Sequence, residues 1–159
     1  MSGPRIVSLL PAATEMVCTL GLADRLVGIS HECNYPDFVA SRPRVTRSAL
    51  PSCLSQAEID TFVTARLRKG ESLYEIDEAL LRSLEPDLIL TQDLCEVCGV
   101  SSKETDRACE TLPSNPSVLR FSPKCLADIY ENLRTLAQAT RPPSTLPPSA
   151  GTASASCGG

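Results

Sequence analysis

The run Cys95-Glu96-Val97-Cys98 carries the strongest local chemical signal in the chain. Two thiolates at this spacing ligate zinc or form a redox pair. One such pair fills half of a tetrahedral zinc shell, so two further ligands are needed. The chain has a single histidine, His31, two residues before Cys33. The candidate metal set is therefore His31, Cys33, Cys95 and Cys98, with zinc as the ion. Against it stands the plain reading, in which each cysteine is a small buried apolar residue. Cys18, Cys109 and Cys125 fall within helical patterns and are expected to pack. Cys53 sits in a loop and Cys157 near the C-terminus, and neither has an assigned role.

A second group of residues suits a small organic ligand. Pro11-Ala12-Ala13-Thr14 combines small side chains with the free backbone N–H groups of a helix start, which fits an amide or anionic edge. Glu32 and Asp93 can accept hydrogen bonds, Gln92 opens the same loop as Asp93, and Tyr35 beside Pro36 can present an aromatic face to a flat molecule. Each has a structural alternative: a tight turn, a solvated charge, or a ring that anchors its loop by packing. Signatures of catalysis are missing. The sequence holds no phosphate-binding loop and no nucleophile elbow. A cysteine–histidine pair would lack a third member and oxyanion donors. The expectation is binding, not an enzyme.

These residues need a scaffold that gathers them. Ile6 to Leu10 is an apolar run broken by Pro11. An apolar helical face then resumes at Ala13, Met16, Val17 and Leu20, Gly21 closes it, and a second run follows at Leu26 to Ile29. Proline is tolerated in the first helical turn and glycine at the helix end. This is a βαβ unit with parallel strands. Further buried strands are read at Asp87 to Thr91 and Val118 to Phe121, with short ones at Arg44 to Thr46 and Leu73 to Ile76. A capping box at Ser55 and Glu58 opens a helix with Ile59, Phe62, Val63 and Leu67 on one face, stopped by Gly70. Asp77 caps a helix that turns Leu80, Leu81 and Leu84 inward and ends at Pro86. Ser101 and Glu104 form a second capping box, and Ser122-Pro123 reads as a cap followed by proline at the first helical position. A long helix then carries Leu126, Ile129, Leu133 and Leu136 to about Thr140. The fold class is α/β, a three-layer lobe with a mainly parallel sheet. The exit loops of the four best strands, after Leu10, Ile29, Leu90 and Phe121, gather on one edge, where open α/β sheets hold ligands.

The chain has 159 residues, which is about one domain. Hydrophobic residues make up 42% and aromatic ones 4%, with no tryptophan, so the core is aliphatic. The net charge is −4 with no lysine or arginine cluster, which argues against nucleic acid or an anionic membrane as partner. No stretch approaches the ~20 apolar residues of a membrane span. The N-terminus shows no basic segment followed by a long apolar one, so the expected location is cytoplasmic, with the eight cysteines reduced. Residues 1–140 form the expected lobe. From Arg141 to Gly159 the chain is proline, serine, alanine and glycine with almost no apolar pattern, and is expected to be disordered.

Four stretches taken together resemble a known family: R-I-V-S-L-L-P-A-A-T-E-M-V at Arg5 to Val17, L-V-G-I-S-H-E-C-N-Y-P at Leu26 to Pro36, L-E-P-D-L-I-L-T-Q at Leu84 to Gln92, and S-P-K-C-L-A-D-I at Ser122 to Ile129. They are similar to the cobalamin- and ferric-siderophore-binding proteins of ABC importers, the class with a rigid helical backbone, and nearest to the cobalamin-binding branch. The resemblance implies two α/β lobes joined by one long helix, with the ligand in the cleft between them. It implies cobalamin or another metal chelate as the small-molecule partner, and an ABC permease as a further one. The helix from Ser122 matches the start of the connecting helix. The stretch beyond it carries no second-lobe pattern, so the expectation is the N-terminal lobe of a truncated chain. The alternative is a small zinc- or redox-active α/β domain built on the cysteine pair.

Overall fold

The computed structural model describes residues 3–51, 53–69, 71–92 and 102–141. In chain order the strands are β1 (Ile6–Ser8), β2 (Leu26–Ile29), β3 (Thr46–Ser48), β4 (Tyr74–Ile76), β5 (Leu88–Gln92) and β6 (Ser117–Phe121). The helices are α1 (Pro11–Thr19), α2 (Gln56–Arg68), α3 (Glu78–Ser83), α4 (Ser102–Glu110) and α5 (Leu126–Ala139). A four-stranded sheet runs in the order β2-β1-β5-β6 with every pair parallel. The chain lays β2 on one side of β1 and returns to lay β5 and β6 on the other. The order therefore reverses between β1 and β5.

Alternation along the strands divides the core in two. Ile6, Leu88, Leu90 and Phe121 face one way and pack with Ala13 and Val17 of α1 and Leu136 of α5. Val7 and Ile89 face the other way and pack with Leu81 of α3 and Ala108 of α4. The result is the expected three layers, helix, sheet and helix, with period-two strands buried on both faces. Gly28 lies where the layers come closest: a Cβ there would stand 2.8 Å from Leu84 Cδ1 and 2.9 Å from Val45 Cγ1.

The segment after β2 joins the sheet as well. Ile29 and Arg44 form a parallel bridge, and Val45 N–H donates to the Ile29 carbonyl at 2.9 Å. The chain then leaves as β3, which pairs antiparallel with β4. The strand expected at Arg44 to Thr46 is thus displaced to Thr46–Ser48, with Arg44 left in the bridge.

Three readings need correction. The Ser122-Pro123 cap does not form. Cys125 is the N-cap of α5, and the Asp128 carboxylate accepts from Lys124 N at 2.8 Å and Cys125 N at 3.1 Å, so the helix starts at Leu126. Cys125 therefore lies outside the helix. In α2 the capping box forms as read, with Glu58 N donating to Ser55 Oγ and Ser55 N to Glu58 Oε2, but none of its residues is buried and Leu67 is exposed. Asp77 does cap α3, accepting from Leu80 N at 2.9 Å. Ser101, Gly70 and the region from Pro142 onward lie outside the described residues. Among the described residues no helix is long and apolar enough to cross a membrane.

Candidate functional site

All four parallel strands deliver their exits to one edge, and two short hydroxyl relays tie that edge together. The first begins at Cys33, which is fully buried. Its Sγ lies 3.1 Å from Thr14 Oγ1. The Thr14 hydroxyl donates to Ser8 Oγ at 2.9 Å, and the Ser8 hydroxyl donates to the Leu10 carbonyl at 3.0 Å. Burial pushes the Cys33 thiol upward in pKa, so it stays protonated. Thr14 has one proton and spends it on Ser8, so Cys33 is the donor to Thr14. The relay Cys33–Thr14–Ser8–Leu10 pins the start of α1 to the loop after β2.

The second relay begins at Ser30, also buried. The Thr46 hydroxyl lies 3.1 Å from Ser30 Oγ, His31 N donates to Thr46 Oγ1 at 3.0 Å, and His31 Nδ1 is 2.8 Å from the same oxygen. The His31 ring stands 5.5 Å from the Tyr74 ring of β4, at a tilt of 41°. Its Nε2 is 3.2 Å from Glu32 Oε1, an ion-pair distance outside hydrogen-bond geometry. Arg44 donates to the His31 carbonyl. This relay holds the loop after β2 against the β3–β4 hairpin.

Above the relays the loop is open. Tyr35 is 62% exposed and Phe38, three residues on, 55%, so this loop presents two aromatic side chains to solvent. Pro11 and Ala12 are exposed at the first turn of α1, whose N-cap Leu10 offers no side-chain cap. Pro11 has no N–H, Thr14 N donates to the Leu10 carbonyl at 3.2 Å, and Ala13 is fully buried, so Ala12 supplies the exposed N–H of that turn without an intrahelical acceptor. The arrangement can take an amide or carboxylate on the turn and a flat apolar surface on the aromatic pair.

The same architecture occurs in solved structures. The chain matches the periplasmic vitamin B12-binding protein BtuF of Vibrio cholerae with a TM-score of 0.60 and 23% identity, over 86% of this chain and 41% of that one. The periplasmic heme-binding protein BhuT, solved with two hemes, matches at 0.57 and 21%, over 86% and 41%. The petrobactin-binding protein YclQ of Bacillus subtilis matches at 0.53 and 14%, over 87% and 39%. The chain has the fold of the N-terminal lobe of such a binding protein. It spans about two fifths of the length of these three binding proteins. No protein-family model and no curated protein matches the chain.

In this lobe the expected site residues separate. Pro11, Ala12, Glu32 and Tyr35 are exposed on the edge, and Gln92 ends β5 half-buried beside them. Ala13 and Thr14 are fully buried, backbone included, so neither is presented on the edge, and the Thr14 side chain serves the relay. Asp93, Cys95 and Cys98 lie outside the described residues. Of the metal set, His31 and Cys33 are engaged with different partners, Thr46 and Thr14. Among the described residues no group of three or more His, Cys, Asp or Glu side chains is placed to hold a metal. Cys18, Cys33, Cys53, Cys109 and Cys125 are not in disulfides.

Ser8, Ser30, Thr46, Arg44, Tyr74 and Phe38 escaped the reading of the sequence. A signal was present for the first two. Ser8 is buried within the run Ile6 to Leu10, and Ser30 and Thr91 follow Ile29 and Leu90 at the ends of their runs, both buried. A buried hydroxyl needs a partner, so a hydroxyl repeated at strand ends marks a hydrogen-bonded edge.

Proposed function

We propose that this lobe binds a corrinoid or another flat metal chelate on the edge formed by Pro11, Ala12, Glu32, Tyr35 and Gln92, and performs no catalysis. The observation that carries the reading is the exposed Tyr35 in the loop after β2 together with the uncapped start of α1 after β1, both at the edge where the parallel strand order reverses. The ligands of the structural neighbours, vitamin B12, heme and petrobactin, support the class, since two of the three are large planar macrocycles holding a metal. The Tyr35 ring would stack on the macrocycle, and the α1 turn would take a side-chain amide or carboxylate at its rim. An ABC permease is the further partner that such a binding role implies.

One lobe covers one face of a flat ligand, so the expected affinity is about micromolar. Visible-absorbance titration with cyanocobalamin and with hemin tests the reading. Saturable shifts with one of them, weakened about tenfold in Tyr35→Ala, are expected. Absence of saturable binding by either, or equal binding by Tyr35→Ala, would overturn it.

A further inference from the structure

Two thiols converge on the Thr14 side chain. Residues four apart share one face of a helix, with Cβ atoms about 5–6 Å apart, and a helical side chain leans back over the turn before it. Cys18 follows Thr14 by four residues in α1, so it leans over the turn that holds Thr14. Cys33 comes to the same side chain from the loop after β2, with its Sγ 3.1 Å from Thr14 Oγ1. Both belong to one packed face: Cys33 is fully buried in the cluster with Ala13, Val17 and Val39, and Cys18 is partly buried against that cluster. Burial raises the Cys18 thiol in pKa, Arg42 acts against the rise, and the charges of Glu15 and Cys33 add to it, so Cys33 lies within Coulombic reach of Cys18. Cys109, by contrast, packs on the other face of the sheet.

We propose that Cys18 and Cys33 form a disulfide when the chain meets a small-molecule disulfide such as oxidised glutathione, and that this bond fastens α1 to the loop after β2. Cys18 is the point of entry, because it is half-buried while Cys33 is closed to solvent. The Cys18 thiolate attacks one sulfur of the reagent, forming a mixed disulfide and releasing a thiolate. The Cys33 thiolate then turns from Thr14, attacks Cys18 Sγ and expels the reagent's second thiolate. Two protein thiols are oxidised, one reagent disulfide is reduced to two thiols, and the two protons pass from the protein thiols to the solvent or the released thiolates. Thr14 keeps Ser8 as its acceptor throughout. The bond closes a loop of about 15 residues and fixes the base of the segment that carries Tyr35 two residues further on. Excess thiol reopens it. The bond stands or falls independently of any ligand.

Peptide mapping of the folded chain after incubation with oxidised glutathione, without denaturant, tests this. Trypsin places Cys18 alone in the peptide Ile6–Arg25 and Cys33 alone in Leu26–Arg44, since Arg42 precedes a proline. The two peptides should be recovered joined, should separate on reduction, and should not be joined in Cys18→Ala or Cys33→Ala. Oxidation should also raise the urea midpoint of wild type by about 1 M and leave that of Cys18→Ala unmoved. Recovery of Cys18 carrying only glutathione, its linkage to Cys53 instead of Cys33, or a Cys18–Cys33 link that forms only in denaturant would overturn the proposal.

Discussion

Cys33 has a packing role that its place in the sequence did not show. Its spacing from His31 fits a metal ligand, yet its thiol is buried and points into the Thr14–Ser8 relay. Spacing along a loop says which residues are near in sequence; it does not say which way a short side chain turns once the loop packs on a helix. Thr14→Val keeps the shape and removes the hydroxyl, leaving the Cys33 S–H without its acceptor and Ser8 Oγ without its donor. Urea denaturation should show a loss of about 1–3 kcal/mol, the range for a buried polar group that loses its partner. Ser8→Ala should cost less when added to Thr14→Val than alone, because the two share one relay. Additive losses would mean that the relay is not a unit. Tyr35 is the opposite case. Its type and the neighbouring proline left an exposed face and a loop anchor equally open, and its 62% exposure decides against the anchor.

Elements were more legible than their ends. The four parallel strands, α1 and α3 lie where hydrophobic period and caps put them, since each has a strong local signal and a buried face on the sheet. The start of α5 was misplaced because Ser122-Pro123 satisfies the same cap statistics as a true start. The deciding feature is Asp128, whose carboxylate accepts the N–H groups of Lys124 and Cys125 and fixes the first turn. In α2 the period was read correctly, but a period reports an apolar face and not what covers it. Those hydrogen bonds hold the Asp128 carboxyl below its usual pKa. A lowered carboxyl favours the fold above the ordinary carboxylate range and loses that contribution as pH falls through the lowered value. The first turn of α5 should therefore fray in acid below about pH 4, seen as faster amide exchange at residues 126–129, and Asp128→Asn should show the same fraying at neutral pH. On the sheet, Gly28→Ala drives a methyl into Leu84 and Val45 and should cost about 1–3 kcal/mol. Pairing it with Leu84→Ala should recover part of that loss, and a fully additive double variant would show that the contact is not the cause.

At the scale of the molecule, the parallel sheet does two things at once. It buries both of its faces under helices, and it brings loops from distant parts of the sequence to a single edge. The topology that makes this edge was readable, because βαβ crossovers force parallel strands to start from the same side. The closing of the edge was not, because it rests on hydroxyls that meet only after β2, β3 and α1 have packed. The same double-sided core sets the response to base. Cys18 and Cys33 pack on the α1 face of the sheet and Cys109 on the α4 face, and burial is the leading cause that raises all three thiols in pKa. In the unfolded chain these thiols ionise in the ordinary range, about 8.5, while in the fold they hold their protons. Above that pH the unfolded state binds fewer protons than the native one, so stability is full below it and is lost as pH rises toward the raised native values. Urea midpoints under reducing conditions should be level from pH 6 to about pH 8 and fall beyond it. The fall should be shallower in Cys33→Ala, measured relative to that variant's own neutral midpoint, and unchanged in Cys53→Ala, since Cys53 is already exposed. Equal slopes in wild type and Cys33→Ala would show that the buried thiol does not couple folding to base.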